Sequence, residues 1–419
     1  MTPLRFCHVT TFYPPHNLGG DGITVQRLCQ ALVRRGHHVT VIYDPEAFRA
    51  LCHSPAAAGD PESDGVEVVP LRGGMGTLSL LLTHQLGRPV INSREIERLL
   101  ALGDFDVIHF HNVSLLGGPG IFRMGRATKL YTAHEHWLVC PTHVLWRHKR
   151  EACPARECFR CLLRNRRPPQ AWRYTGALDR AARHIDAFIA LSEFSRAKHR
   201  EFGFCTDMEL LPCFLPDTHA AEEIPVGPRP HPRPYFIFAG RLEVIKGVHE
   251  VIAVFRRYTE ADLLVAGDGD QAGELSRLAA DCSRVRFLGR ISFAELNRYY
   301  EHAIAAIVPS IGFETFGNVL IEAFRAGVPV IARRLGPFPE IVELAQGGEL
   351  FSTPEELLAA IRRLQHDVSV RERLARNAYA AYRSHWTESV VVPRYLEIVG
   401  RAAQRRDANT ERASLGSPG

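Results

Sequence analysis

Tyr235-Phe236-Ile237-Phe238-Ala239-Gly240-Arg241-Leu242-Glu243-Val244-Ile245-Lys246-Gly247 reads as a strand, a turn and the entry to a helix. The apolar run 235–239 is the strand, Gly240 closes it, and the turn carries one Arg and one Lys five residues apart. Two cations at a strand end, facing a helix N-terminus, suit a diphosphate, and the guanidinium can grip it in bidentate fashion. Taken alone, the pair reads equally well as two solvated charges beside a turn.

Some seventy residues on, Glu314-Thr315-Phe316-Gly317-Asn318-Val319-Leu320-Ile321-Glu322 follows the loop Pro309-Ser310-Ile311-Gly312-Phe313. Glu314 stands just before a helix, where a carboxylate can accept hydrogen bonds from sugar hydroxyls. Gly317 lets the main chain approach a ligand, and the amides of Gly317, Asn318 and Val319 are free donors at the helix start. Glu322 lies about two turns into that helix, within reach of a ribose. The plain alternative is an acidic residue complementing a helix dipole and an unrelated surface Glu. Beside the Arg/Lys turn, that alternative loses weight. The two stretches together describe a nucleotide-sugar pocket.

Working outward, the alternation of strand and helix runs along the chain twice. Leu4–Thr10, His38–Tyr43, Val66–Leu71, Asp106–His111, Lys129–Ala133, Ala187–Leu191 and Glu209–Leu211 are strand candidates, with a helix over Ile23–Arg35. After prolines at 225, 228, 230, 232 and 234 the pattern restarts with Tyr235–Ala239, Leu263–Ala266, Val285–Leu288, Ala305–Val308 and Val328–Ala332. Helices are expected over Gly247–Arg257, Gln271–Asp281 and Phe293–His302. At 419 residues the chain exceeds a single core. The expectation is an α/β protein of two doubly wound, Rossmann-like domains, 1–216 and 235–385, joined by a linker at 217–234. The ligand cleft lies between them, outside the strand carboxyl ends. From about 350 the chain reads as helical. A helix over 386–406 is expected to pack back on the first domain, and a polar tail over 407–419 to be disordered.

Here the chain resembles the retaining glycosyltransferases of family 4, whose GT-B fold sets two Rossmann-like domains face to face. The resemblance rests on Gly240-Arg241-x4-Lys246-Gly247, Val265-Ala266-Gly267-Asp268-Gly269, Val285-Arg286-Phe287-Leu288-Gly289, Pro309 to Gly317 and the pair Glu314/Glu322. In the first half it rests on the glycine-bearing loop Pro14 to Gly22, on Asp106 to His111, and on Thr132-Ala133-His134-Glu135. It implies that Arg241 and Lys246 stabilise the departing diphosphate, Glu314 orients the donor sugar and Glu322 holds the ribose. Gly240, Phe316, Gly317 and Asn318 would complete the donor pocket, and the segment Arg286 to Arg290 would face the base. Gly19 and Gly20 would close over the phosphates, with His134 near the transferred sugar. Glu135 stands where the family commonly has Asp. The implied reaction is a front-face displacement that retains anomeric configuration and needs no divalent ion, most readily from a UDP-linked hexose, in polysaccharide or glycolipid synthesis.

Gly267-Asp268-Gly269-Asp270 looks like an acidic metal motif, but Asp and Gly after a strand are ordinary turn residues. His109 and His111 alternate on one strand and read as packing or hydrogen-bonding histidines. Cys140, Cys153, Cys158 and Cys161 fall within 22 residues of a basic insertion at about 136–185, and the last two form a Cys-x-x-Cys. They read either as free thiols or as a structural zinc site. Between Arg147 and Arg173 there are nine Lys or Arg against two Glu, with Trp146 and Trp172 at the edges. Such a stretch suits an anionic or lipid-linked acceptor or a membrane surface, or is simply a solvated face. Nucleic acid is not an expected partner.

The short Leu4–Thr10 run is followed by Pro14 and Pro15 without a cleavage pattern. With ten cysteines read as reduced thiols, a cytoplasmic protein at the inner membrane face is expected. Two other functions share this fold: a nucleotide-sugar 2-epimerase, which the Arg/Lys turn and the two-glutamate motif fit poorly, and a non-catalytic nucleotide-sugar-binding protein. A nicotinamide dehydrogenase is disfavoured because no Gly-x-Gly-x-x-Gly follows the first strand.

Overall fold

The structure, a computed structural model, describes residues 2–17, 19–51, 64–73, 75–217 and 228–415. Most of the expected linker, and the last four residues, lie outside these ranges. Nine strands belong to the first half: β1 (Arg5–Thr10), β2 (His38–Tyr43), β3 (Glu67–Pro70), β4 (Val107–Phe110), β5 (Thr128–Ala133), β6 (Trp146–Arg147), β7 (Glu151–Ala152), β8 (Ala187–Ala190) and β9 (Met208–Leu210). The second half adds β10 (Tyr235–Ala239), β11 (Asp262–Ala266), β12 (Val285–Gly289), β13 (Ala306–Val308), β14 (Val330–Arg333) and β15 (Gly348–Phe351).

The first sheet has the order β3-β2-β1-β4-β5-β8-β9 and the second the order β12-β11-β10-β13-β14-β15. The pairings in both are parallel. Parallel strands are covered by helices on both faces, which is why these runs are apolar throughout rather than alternating. Strand order reverses between β1 and β4 and again between β10 and β13. At such switch points the loops leaving the carboxyl ends part and open a crevice.

Local chemistry explains the elements that frame it. In the helix Gly20–Arg34 the residues Val25, Leu28, Cys29, Ala31 and Leu32 recur at helical spacing and are buried. The helix Phe293–His302 begins with a capping box, in which Ser292 Oγ accepts from Glu295 N and the Glu295 carboxylate accepts from Ser292 N.

Three features depart from the sequence reading. β15 was not foreseen, because four residues after paired glycines carry almost no strand signal; pairing with β14 makes them a strand. The hairpin β6–β7 inside the insertion was not foreseen either, since its two strands have two residues each. The final helix runs from Glu388 to Leu415, so residues 407–415, expected to be disordered, are helical. No Gly or Pro occurs between Arg401 and Leu415, and Ala, Gln, Arg and Glu sustain the helix until Gly416.

That last helix crosses back to the first domain. Val391, Val392, Tyr395, Ile398, Val399 and Ala402 share a core with Phe6, Val25, Leu28, Leu130 and Ile189. Each such side chain taken out of water contributes on the order of 1.5–3 kcal/mol. Glu388, at the start of the helix, pairs with both Arg34 and Arg35.

Candidate active site

The site grows from the turn after β10. Its main chain is stitched to the turn after β11: Gly240 N donates to Ala266 O at 3.0 Å, Leu242 N to Asp268 O at 2.9 Å, and Gln271 N to Leu242 O at 2.9 Å. The two turns can approach this closely because Gly267 has φ +140°, and a Cβ there would stand 1.9 Å from Gly240 O. Asp268 spends its carboxylate on the amide of Gly269 at 2.8 Å, as a turn residue does.

The loop after β13 is tied to the same turn. Ile311 N donates to Ile245 O at 2.8 Å, and Gly247, at φ +70°, leaves room for Pro309 O. This proximity brings Lys246 Nζ to 2.5 Å from Glu314 Oε1, with Ser310 Oγ donating to the same oxygen at 3.0 Å. Both charged side chains are partly exposed, at 22% and 28%. They are therefore reachable by a ligand yet sheltered enough for the pair to hold its geometry. The exposed Arg241 reaches Glu243 at 2.8 Å. The amides of Gly317, Asn318 and Val319 make no backbone hydrogen bond among the described residues, leaving the start of the helix Asn318–Arg325 open to an anion.

The first domain closes over this surface. A Cβ on Gly19 would lie 4.0 Å from Arg241 Nε, and one on Gly20 would lie 3.2 Å from Asn318 Nδ2. Thr315 Oγ1 donates to His134 O at 2.7 Å, and Ser192 Oγ donates to Thr315 O at 2.7 Å. Glu340 from the second domain accepts from the amides of Glu193 and Phe194 at the head of the helix Glu193–Glu201. Phe194 and Phe313 stack beside it, with centroids 5.2 Å apart. Gly19, Gly20, Arg241, Lys246, Glu314, Asn318 and His134 are thus gathered around one interdomain cleft.

Glu322 meets Arg27 of the first domain at 3.7 Å, both side chains being mostly buried. Burial raises the Glu322 carboxyl above its usual range, and the Arg27 guanidinium opposes that shift. Arg290 is exposed at the end of β12, beside Gly289 whose carbonyl accepts from Gly267 N. Phe316 has its ring buried in a core shared with Leu320, Phe324 and Phe338, so its main chain is the part left to meet a ligand. An aromatic residue just ahead of an amphipathic helix is drawn into the core by its own apolar area.

Beneath the cleft lies a chain of imidazoles. His134 Nε2 is 2.9 Å from His111 Nδ1, and His111 Nε2 is 2.9 Å from His8 Nδ1. His109 is fixed separately by Thr132 Oγ1 at 2.8 Å and by the Tyr395 hydroxyl at 3.0 Å. Burial pulls His109 and His111 well below the ordinary histidine range and His8 down to about 3. Burial also lowers His134, against the pull of Asp21 and Glu135. These rings are neutral and fix the orientation of His134 from below. His8, His109 and His111 also form a group whose ligand atoms lie within 4.8 Å of one another, although all but His8 Nε2 of their ring nitrogens are already hydrogen-bonded. Glu135 turns away to His143 Nδ1 at 2.8 Å.

Sequence reasoning missed Ser310, which acts on Glu314 four residues on, and Arg27, Ser192 and Glu340, which act across long sequence distances. Only Ser192, which caps its helix by accepting from Ser195 N at 3.0 Å, carried a local signal. The four insertion cysteines, Cys140, Cys153, Cys158 and Cys161, are unpaired thiols lining one cavity outside the cleft.

Comparison with known proteins follows this geometry. The family model "Glycosyltransferase Family 4" matches residues 18–219, and "Glycosyl transferases group 1" matches residues 220–381. The chain is 28% identical over 399 residues to a glycogen synthase of Mycobacterium tuberculosis, covering 90% of this chain and 89% of that protein. It is 26% identical over 405 residues to the phosphatidyl-myo-inositol mannosyltransferase of the same species, covering 92% and 95%. Its fold matches that of Anabaena Alr3699/HepE, solved in complex with UDP-glucose, with a TM-score of 0.65 at 18% identity over 97% of this chain and 100% of that one.

Proposed function

The chain belongs to the group 1, family 4 glycosyltransferases of GT-B architecture, and from that membership we propose that it moves a hexose from a UDP-linked donor to an acceptor held at an anionic membrane surface, with retention of anomeric configuration. The observation that carries this reading is the Lys246–Glu314 pair at the switch point of the second sheet, facing the Gly19-Gly20 loop. Lys246 and Arg241 supply the positive charge that a departing diphosphate needs, and the free amides of Gly317 to Val319 extend it. Glu314, held by Lys246 and Ser310, presents its remaining acceptor capacity to sugar hydroxyls. In the proposed step the bond from the anomeric carbon to the diphosphate breaks while the acceptor oxygen bonds on the same face. The acceptor proton passes to the leaving phosphate oxygen. The neutral His134, braced by His111, lines the sugar's side of the cleft. The HepE complex with UDP-glucose supports a UDP donor through shared fold alone.

Support for a membrane-borne acceptor comes from the first domain. Leu78, Leu81 and Leu86 are exposed along one helix, Gly76–Leu86, with Met75 exposed just before it, and Phe159, Leu163 and Tyr174 are exposed in the insertion. The two segments meet where Trp172 Nε1 donates to His84 O at 3.0 Å. Exposed Arg156, Arg160, Arg164, Arg166 and Arg167 interleave with them, the composition of a surface that lies against anionic lipid. No helix among the described residues is long and apolar enough to cross a membrane.

The test is thermal stabilisation by UDP, GDP and ADP in the wild type and in Lys246→Ala, followed by NMR of the product's anomeric centre. Ligand at a hundred times its dissociation constant stabilises by about 2.7 kcal/mol. A UDP shift that disappears in the variant supports the donor assignment. An inverted product anomer, or an unaltered UDP shift in the variant, overturns it.

A further inference from the structure

The insertion holds a feature that sugar transfer does not use. Cys140 lies in the loop after β5, Cys153 just past the hairpin β6–β7, and Cys158 and Cys161 in the short helix Cys158–Arg164. Three separate pieces of chain therefore deliver four thiols to the walls of one cavity, together with Leu145, Trp146 and Arg147. No three of the sulfurs lie mutually within 4.8 Å, so binding an ion would draw them inward by side-chain rotation.

Three observations say what the cavity is built for. First, Cys161 Sγ accepts from two N–H groups, His148 N and Asn165 Nδ2, both at 3.4 Å. The same sulfur lies 3.9 Å from Trp146 O, to which its thiol donates, so it is already tied to the hairpin and to the end of its own helix. Second, Arg173 sits at 4.4 Å over the Trp172 ring and donates to the carbonyls of Trp137 and Leu138 and to Gln170, all neutral. Among the described residues it makes no ion pair. A tetrathiolate carrying a divalent ion has a net charge of −2 and would give that buried cation a counter-charge. Third, of eight non-glycine residues with positive φ, five lie here: His143, Leu145, His148, Lys149 and Arg166. Strained main chain of this kind persists where something over-determines it.

We propose that Cys140, Cys153, Cys158 and Cys161 bind one zinc ion as a structural tetrathiolate that clamps the hairpin β6–β7 against the donor loops. Zn2+ replaces four thiol protons, which leave to solvent, and Arg173 lies beside the resulting anionic centre. A disulfide between Cys158 and Cys161 would bind one short helix to itself and leave the other two segments untied. The clamp has a purpose visible in Trp146. Its Cε3 is 3.7 Å from where a Cβ on Gly312 would stand, and Ile245 packs on the same point at 3.1 Å. Gly312 is two residues before Glu314, and Ile245 is next to Lys246. The inference does not depend on the donor or acceptor assignment.

The test uses the full chain purified without chelator. Elemental analysis should give about one zinc per chain. Replacing zinc with Co2+ should produce the intense thiolate-to-metal absorption of a tetrahedral sulfur site. Stripping the metal should expose four additional thiols to a thiol reagent and lower Tm, with recovery on adding Zn2+. The double variant Cys158→Ser/Cys161→Ser should lose the metal. If that variant does not fold, the wild-type thiol count still decides. Protein that holds no metal after incubation with Zn2+ and removal of the excess, a thiol count unchanged by stripping, or an oxidised Cys158–Cys161 pair in freshly purified protein would each overturn the proposal. So would a Tm indifferent to metal.

Discussion

The donor loops of the second domain and the cysteine-bearing insertion of the first touch at Trp146 and Gly312, and they are built by opposite means. The donor loops leave adjacent strands of a parallel sheet, so β10 and β13 place Arg241, Lys246 and Glu314 by the geometry of the fold itself. Left-handed or close-approach positions there are occupied by Gly247 and Gly267, which adopt them without steric cost. The insertion has two strands of two residues each, and its left-handed positions are occupied by His, Leu, Lys and Arg, with glycine only at Gly176. One region is pre-organised by regular structure, and the other must be held by its side chains. Arg241, Lys246 and Glu314 sit on the first kind of support, and the basic surface of the insertion on the second.

The largest effect that could break this contrast is on catalysis. Lys246→Ala should lower kcat/KM by about 10²–10³-fold, the size of removing one charged stabiliser of a developing anion, or roughly 3–4 kcal/mol. The melting profile should stay near that of the wild type, because Lys246 is a partly exposed surface partner of Glu314. Steady-state kinetics beside a melting curve tests both halves. Activity within threefold of wild type would remove Lys246 from the donor site.

Next in size is a stability effect on the rigid side. Gly267→Ala places a methyl group 1.9 Å from Gly240 O at φ +140°, and nothing flexible is there to yield. A loss on the order of 3 kcal/mol is expected in urea unfolding, with the donor turn displaced and nucleotide binding weakened. A full-strength fold with that variant would mean that the two turns do not need their close approach.

Smaller again is a pH dependence seated under the cleft. His8 has a folded pKa of about 3 against an ordinary value near 6.5, so below pH 6.5 the unfolded chain binds a proton that the folded one refuses. Stability is therefore full above about pH 6.5 and falls as pH drops, at up to about 1.4 kcal/mol per pH unit for that one group. His109 and His111 shift in the same direction. In His8→Asn the slope between pH 6 and 5 should flatten by about that amount; denaturant unfolding at several pH values measures it. An identical slope would show that His8 charges freely in the folded protein.

The sequence made these two regions unequally legible. Arg241, Lys246 and Glu314 could be placed because a strand followed by a turn has one outcome in a parallel sheet, and the same logic located the strands of both sheets, β15 excepted, within a residue or two. The burial of the Phe316 ring was not legible from its motif position, because apolar area decides where an aromatic ring goes. Arg27, Ser192 and Glu340 were invisible, since each finds its partner across 100 residues or more and only the closed fold makes them neighbours. In the insertion the cysteine spacing was readable but the hairpin was not. A turn with two positive φ values at His148 and Lys149 runs against the residue preferences on which such readings rest.

That turn offers the smallest and sharpest test of the contrast. Lys149 is exposed and has φ +61°, a conformation that costs an L-residue about 1–2 kcal/mol. Glycine removes that cost but adds about 0.5–1 kcal/mol of unfolded-state freedom. Lys149→Gly should therefore stabilise the protein by about 0.5 kcal/mol, read as a rise in denaturant midpoint at constant m. On the donor side the backbone conformation is alike but the native residue is already glycine. Gly247→Ala, at φ +70° with Pro309 O 2.3 Å from the new methyl group, must destabilise. Opposite signs at two left-handed positions would show that the donor loops have their strain relieved in sequence while the insertion carries its strain unrelieved. Equal signs would mean that the hairpin turn is not under strain, and that the side chains around it carry less than the contrast assigns them.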